Sequence, residues 1–135
     1  MAMKPMRSRS NPGRGFTLIE LIVVLAIIAL LSSIVAPRYL RSVDHAREAT
    51  LRTSLRVMRD AIDKFAADKG RYPDTLQELA EQHYIRNVPE DPVTGSADSW
   101  VTLPPPADST MRGAVGDVRS GAAGQADDGK AYQDY

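Results

Sequence analysis

The sequence contains no cysteine, only two histidines and one tryptophan, and aromatic residues make up 6% of its 135 residues. Without cysteine, the chain has neither a disulfide framework nor a thiolate metal site. His45 and His83 stand alone, with no spacing typical of metal ligands and no nucleophile paired with a base. We therefore expect no catalytic residue and do not predict an enzyme.

One long apolar run dominates the N-terminal third of the chain. No polar side chain occurs from Leu21 to Leu31, and with its flanks the run covers residues 16–36. About 21 residues is the length that crosses a hydrocarbon core of roughly 30 Å. Glu20 lies inside this run, where a carboxylate is costly unless a positive group neutralises it, so it predicts a functional site. The alternative is a side chain that extends into the lipid headgroups.

Residues 1–15 form a basic leader with Lys4, Arg7, Arg9 and Arg14 and no acidic residue. Without this leader the chain has 13 basic and 17 acidic residues, since the whole chain has 17 of each. Positive residues before a first apolar helix stay on the cytoplasmic side, so the leader charges indicate topology. No nucleic acid partner is predicted. An ordinary signal peptide is disfavoured because Glu20 interrupts the apolar region.

The leader ends in Gly15, and Phe-Thr-Leu-Ile-Glu follows at residues 16–20. This motif resembles the N-terminus of type IV pilins and of the pseudopilins of type II secretion. The resemblance implies that a prepilin peptidase cleaves between Gly15 and Phe16 and methylates the new N-terminal Phe16. It also implies that Glu20 of an incoming subunit neutralises the Phe16 amine of a neighbour in a filament.

Apolar residues recur at steps of three or four through residues 37–69, which predicts a helix with one apolar face. Pro37 lacks a backbone donor, and we expect a kinked but continuous helix there, as the superfamily has a proline at this place. Gly70 is the expected residue after the helix end. Charges spaced by four predict intrahelical ion pairs on the other face. These pairs are Glu48–Arg52, Arg56–Asp60, Arg59–Asp63, Asp60–Lys64 and Lys64–Asp68.

The remaining residues predict a small α/β region. A short helix is expected over residues 75–82 with Asp74 as its cap, and strands over 99–103, 114–118 and, as a third, 131–135. We expect two to four antiparallel strands on the apolar helix face, with Trp100 as an anchor. The predicted fold class is therefore α+β and pilin-like, with a long N-terminal helix packed on a small C-terminal antiparallel β-sheet.

Two later motifs refine the resemblance. The Gly-Arg-Tyr-Pro turn at residues 70–73 and the Asp91-Pro92 segment resemble the major pseudopilins of type II secretion. Those proteins bind calcium in a loop near the C-terminus, and flexible carboxylate loops suit Ca²⁺. The alternative is that these aspartates serve as turn residues. The candidate ligands are Asp117, Asp127, Asp128 and Asp134.

The predicted organisation is a cleaved leader (1–15), a transmembrane and filament-core helix (16–36), its amphipathic continuation (37–69) and a small periplasmic region (70–135). The resemblance implies a structural subunit of the type II secretion pseudopilus, which drives export of folded proteins across the outer membrane. The alternative is a type IV pilin that forms a surface fibre for adhesion, motility or DNA uptake. A membrane-anchored enzyme is the third hypothesis.

The resemblance also implies a location and a set of partners. The chain is expected in the bacterial inner membrane as a single-pass protein, with its C-terminal domain in the periplasm. Its implied partners are further copies of itself in a helical polymer, minor pseudopilins, an inner-membrane assembly platform, the prepilin peptidase and membrane lipid.

Overall fold

A computed structural model describes residues 1–4 and 13–135 of the chain. Residues 5–12, which include Arg7 and Arg9 of the predicted leader, lie outside the described residues. The chain forms two compact units, Met1–Tyr39 and Leu40–Tyr135. In chain order the elements are α1 (Leu18–Lys69), α2 (Leu76–Glu81), β1 (Val101–Leu103), β2 (Asp117–Arg119) and a 3-10 helix, η1 (Tyr132–Asp134).

The first unit contains the start of α1 and its apolar portion. Thr17 caps the helix: its Oγ1 accepts a hydrogen bond from the Glu20 amide at 3.2 Å, and its carbonyl accepts one from Leu21 at 3.2 Å. The apolar side chains from Phe16 to Leu31 are exposed. Within the described residues, α1 is the helix that is long and apolar enough to cross a membrane. A helix that is apolar on all sides requires apolar surroundings.

Proline and glycine mark α1 at two places. The backbone is helical on both sides of Pro37, so the helix continues through it, and the kink stays a prediction. The helix ends at Lys69, and Gly70 follows with a φ of 67°, the left-handed conformation that glycine adopts at low cost. The predicted end of the helix is confirmed.

The core of the second unit forms under one face of α1. Leu51, Leu55, Met58, Ile62 and Phe65 are each no more than 2% exposed, which confirms the apolar face. They pack with side chains from the rest of the unit, namely Leu79, Ile85, Trp100, Val115 and Val118. The Trp100 side chain is buried as expected, and its Nε1 donates a hydrogen bond to the Pro89 carbonyl at 2.7 Å. This arrangement is the predicted α+β fold.

The sheet has two antiparallel strands, β1 and β2, in a register that pairs Thr102 with Val118. The prediction of a third strand over residues 131–135 is wrong. The chain forms η1 there, and only the isolated bridge between Gln125 and Ala131 has strand pairing. The Tyr132 amide donates to the carbonyl of Gly124, whose φ is 101°, so the segment folds back on itself instead of extending along the sheet.

The cap of α2 also differs from the prediction. Thr75, not Asp74, is the N-cap, and its Oγ1 accepts a hydrogen bond from the Glu78 amide at 3.2 Å. The Glu78 carboxylate accepts from the Asp74 amide at 2.8 Å and pairs with Arg71. The hydrogen bond from Arg71, with that from the Asp74 amide, lowers the pKa of Glu78. The Arg71 guanidinium also lies 5.0 Å from the centre of the Phe65 ring, so this pair joins the 70–73 turn to the core.

Candidate functional site

The first candidate site is the N-terminal motif around Gly15, Phe16 and Glu20. A Cβ added at Gly15 would meet no described atom within 4 Å, so crowding inside the chain does not require glycine at this position. The Phe16 side chain is 86% exposed. The Glu20 side chain is exposed as well, and none of the side-chain hydrogen bonds or ion pairs among the described residues involves its carboxylate.

The start of α1 determines how Phe16 and Glu20 are related. With Thr17 as the N-cap, Phe16 precedes the helix and Glu20 lies in its first turn, where the helix dipole favours a negative charge. Four residues separate the two, about one helical turn. An amine at Phe16 would therefore lie about one helical turn from the Glu20 carboxylate.

The second candidate site was the C-terminal aspartate group. Each of three aspartates contacts a different basic side chain of α1: Asp117 Oδ1 lies 2.8 Å from Arg59 Nε, Asp127 Oδ2 lies 3.1 Å from His45 Nε2, and Asp128 Oδ2 lies 3.1 Å from Arg52 Nη2. The fourth, Asp134, lies in η1. Among the described residues, no group of three or more potential ligand side chains is placed to hold a metal ion.

The spacing of the basic partners explains this separation. His45, Arg52 and Arg59 follow one another at intervals of seven residues, so they lie on the same side of α1, about 10 Å apart at each step. Two oxygen ligands of one Ca²⁺ lie within about 5 Å of each other, because each is 2.3–2.6 Å from the ion. Three of the four carboxylates are each paired with a different step of this row, and the described residues contain no group of three potential ligands, so the arrangement does not fit the predicted calcium site.

The same contacts correct two predicted ion pairs of α1. Arg52 and Arg59 were expected to pair with Glu48 and Asp63 on their own helix, but they pair with aspartates 76 and 58 residues later. Glu48 is only 7% exposed. Its carboxylate instead accepts a hydrogen bond from the Asp127 amide at 2.8 Å. A carboxylate close to full burial gains more from such a donor than from a partner exposed to water.

Arg52, Arg59, Asp117, Asp128 and Tyr135 together form what we call the C-terminal clasp. Arg59 Nη2 donates to the main-chain oxygens of Val118 at 2.9 Å and of Tyr135 at 2.7 Å. Arg52 Nη2 donates to the Tyr135 hydroxyl at 2.9 Å, and that hydroxyl donates to Asp128 at 2.7 Å. This hydrogen bond from Tyr135, with one from the Lys130 amide and the charge of Arg52, lowers the pKa of Asp128.

A fully buried carboxylate joins the loop after α2 to the segment after β2. Asp91 has no exposed surface. Its Oδ1 accepts hydrogen bonds from the Val93 and Thr94 amides at 2.8 and 3.4 Å. Its Oδ2 accepts a hydrogen bond from the Ser120 hydroxyl. Ser120 Oγ in turn accepts from the Ala122 amide at 3.1 Å. In the sequence, Asp91-Pro92 indicates only a family motif, and no local pattern predicts that the Asp91 carboxylate is buried.

The interval of seven residues between His45, Arg52 and Arg59 was visible in the sequence, but four-residue spacings on the same helix obscured it. Those four-residue spacings predicted intrahelical ion pairs for Arg52 and Arg59. The interval shows which residues share a side of a helix, but it does not identify their partners. Those partners are contributed by a segment whose path no local pattern predicts.

Comparison with known proteins covers both units of the chain. The model of the prokaryotic N-terminal methylation motif matches residues 11–36. Type II secretion system core protein G of Klebsiella pneumoniae is 35% identical over 58% of this chain and 68% of its own length. The protein of the same name from Klebsiella michiganensis is 32% identical over 67% of this chain and 73% of its own length.

The type IV major pilin protein PilA of Myxococcus xanthus is 38% identical, but the match spans 53% of this chain and 33% of that pilin. No solved structure matches the chain. The match to the pilin thus covers a third of that relative, whereas the two matches to core protein G given above each extend over more than two thirds of the relative's length. The chain therefore belongs to the family of type II secretion system core protein G, the major pseudopilins.

Proposed function

We propose that this chain is a structural subunit of the type II secretion pseudopilus, which polymerises from the inner membrane and drives export of folded proteins across the outer membrane. The observation that carries the proposal is the apolar portion of α1, exposed in the single chain and interrupted by one carboxylate, Glu20. Packing of such helices against lipid, and then against each other in a fibre, buries this surface. Catalysis by the chain has no part in the proposal.

Processing comes first in this proposal. A prepilin peptidase cleaves between Gly15 and Phe16 and methylates the Phe16 amine, which keeps its positive charge. The exposure of Phe16 and the open space around the Gly15 Cα support accessibility to an enzyme. The match of residues 11–36 to the N-terminal methylation motif supports the same step.

Gly15→Ala tests the processing step. We expect the leader to stay attached, so that the protein migrates as the longer precursor and its N-terminal Phe16 is neither freed nor methylated. Since a Cβ at Gly15 meets none of the described atoms within 4 Å, folding is not expected to change. Intact mass of the membrane-extracted protein is the measurement. Gly13→Ala is the matched control, because a Cβ at Gly13 also meets no described atom within 4 Å. Wild-type cleavage of Gly15→Ala would contradict the assigned site.

Topology and partners follow from the same proposal. The basic leader holds the N-terminus in the cytoplasm, residues 16–36 cross the inner membrane, and residues 70–135 lie in the periplasm. Copies of this chain are its main partners, with membrane lipid around the unassembled helix. Minor pseudopilins and the inner-membrane assembly platform are the other proposed partners, on the strength of the family relationship.

Deletion of the gene, with complementation, tests the function. We expect specific folded proteins to accumulate in the periplasm and to disappear from the medium, while surface fibres remain. Mass spectrometry of the two fractions measures the first effect and electron microscopy the second. The PilA similarity supports the alternative, a type IV pilin. Normal export with loss of surface fibres or twitching would favour that alternative and refute the secretion role.

A further inference from the structure

We propose that Arg52 and Arg59 of α1 hold the C-terminal segment in this chain, in place of a bound divalent cation, and that the segment folds independently of calcium. The inference rests on the contacts of the C-terminal clasp. It is independent of whether the assembled fibre serves secretion or another role.

Arg59 collects the kind of oxygens that otherwise coordinate calcium. Carboxylates and main-chain carbonyls are typical calcium ligands, and Arg59 donates to the Asp117 carboxylate and to the main-chain oxygens of Val118 and Tyr135. All three distances are 2.7–2.9 Å. The planar guanidinium presents several N–H groups in a fixed fork, so one side chain satisfies oxygens from β2 and from the end of the described chain.

Arg52 acts on the same segment two helical turns away. Its Nη2 bonds both the Asp128 carboxylate and the Tyr135 hydroxyl, and its guanidinium carbon lies 5.0 Å from the centre of the Tyr135 ring. Tyr135 thus contacts Arg52 through its side chain and Arg59 through its main-chain oxygen. The two arginines therefore join β2, residue 128 and residue 135 to α1.

The clasp also compensates the charges that would otherwise attract an ion. Asp117 and Asp128 each have a guanidinium partner. Outside the clasp, Asp127 Oδ2 lies 3.1 Å from His45 Nε2, which compensates its charge only when the imidazole is protonated. A guanidinium stays protonated at every physiological pH, so its attachment does not depend on the concentration of an ion. A calcium site of an extracellular module, with a Kd of about 10⁻⁴–10⁻³ M, empties on chelation. The two kinds of attachment therefore respond differently to EDTA.

Thermal unfolding of the full chain in detergent, monitored by the fluorescence of Trp100, distinguishes attachment by arginine from attachment by calcium. Trp100 is the only tryptophan and is packed in the core of the second unit. We expect the wild-type protein to have the same Tm in excess EDTA and in millimolar calcium. Arg59→Met, which keeps an unbranched side chain but removes the donors, is expected to lower the Tm by about 5 °C or more. Arg52→Met is expected to have a smaller effect in the same direction.

Arg56→Met is the matched control, because Arg56 lies between the two on α1, is exposed and makes none of the clasp contacts. Its Tm is expected to equal that of the wild type. Limited proteolysis adds a second readout: cleavage within residues 120–135 is expected to accelerate about tenfold in Arg59→Met and to stay unchanged in Arg56→Met.

Two results would overturn the proposal. The first is a wild-type Tm that rises by several degrees in calcium or falls in EDTA, since an ion would then hold the segment. The second is an Arg59→Met variant with the Tm and cleavage rate of the wild type, since the guanidinium would then contribute nothing to the attachment of the C-terminal segment. The calcium comparison uses unmodified protein, so it remains decisive even if a variant fails to fold.

Discussion

Glu20→Gln is expected to reduce filament formation at least tenfold while the protein still inserts into the membrane at wild-type levels. Glutamine has nearly the shape of glutamate but no charge, so it cannot form the predicted ion pair with the Phe16 amine of a neighbouring subunit. Removing one partner of a buried ion pair costs about 3–5 kcal/mol, because the other charge is left uncompensated, and each 1.4 kcal/mol corresponds to a factor of ten. The loss recurs at every subunit junction.

Insertion into the lipid is expected to survive because a neutral side chain at residue 20 lowers the cost of the apolar segment. Immunoblots of sheared filaments and of the membrane fraction measure the two quantities separately. Glu20→Asp, which retains the charge, is expected to recover part of the assembly. Glu81→Gln removes an exposed carboxylate from α2 and serves as the charge-matched control. Wild-type filament yield from Glu20→Gln would refute the charge pairing.

Asp91→Ala is expected to be among the most destabilising single substitutions in the second unit, lowering the free energy of unfolding by about 3–5 kcal/mol. The truncation leaves the Val93 amide and the Ser120 hydroxyl without their acceptor in a site where Asp91 itself has no exposed surface. An unsatisfied buried donor costs about 1–3 kcal/mol, and a cavity adds to that.

The measurement is urea unfolding of the full chain in detergent, with Trp100 as the fluorescent reporter. Asp98→Ala is the matched control, since Asp98 lies in the same loop and is exposed; it is expected to change stability by less than about 0.5 kcal/mol. Asp91→Asn keeps one acceptor oxygen and is expected to fall between the two. Equal midpoints for Asp91→Ala and Asp98→Ala would show that the buried hydrogen bonds contribute little.

The local pattern of residues 13–70 determined a large part of this structure. An apolar run of this length requires apolar surroundings over the thickness of a membrane, and the carboxylate of Glu20 inside it predicts a functional site. The apolar face that includes Leu55 and Ile62 follows from the helical period, and Gly70 ends the helix through its own backbone freedom. Each of these features depends on residues no more than a few positions apart.

The C-terminal half was predicted less completely. Two short strands and a buried Trp100 were expected and found, but the segment over residues 131–135 forms η1 and not a strand. This segment is short and follows Gly121, Gly124 and Gly129, so local propensities are weak, and contacts with α1 and with Gly124 decide its conformation. Contacts with α1 also pair three of the four aspartates of the predicted calcium site with three different basic side chains.

Only the tertiary structure decided which charges compensate which. The sequence showed Arg59 four residues before Asp63, and the fold pairs it with Asp117, 58 residues later, and with Tyr135, 76 residues later. The fold likewise buries Asp91 against Ser120, 29 residues away. A surface ion pair within one helix gains only a few tenths of a kcal/mol, so several oxygens in fixed positions compete for the guanidinium successfully. Sequence spacing determined which residues share a side of α1, and long-range packing determined which residues of the rest of the chain pair with them.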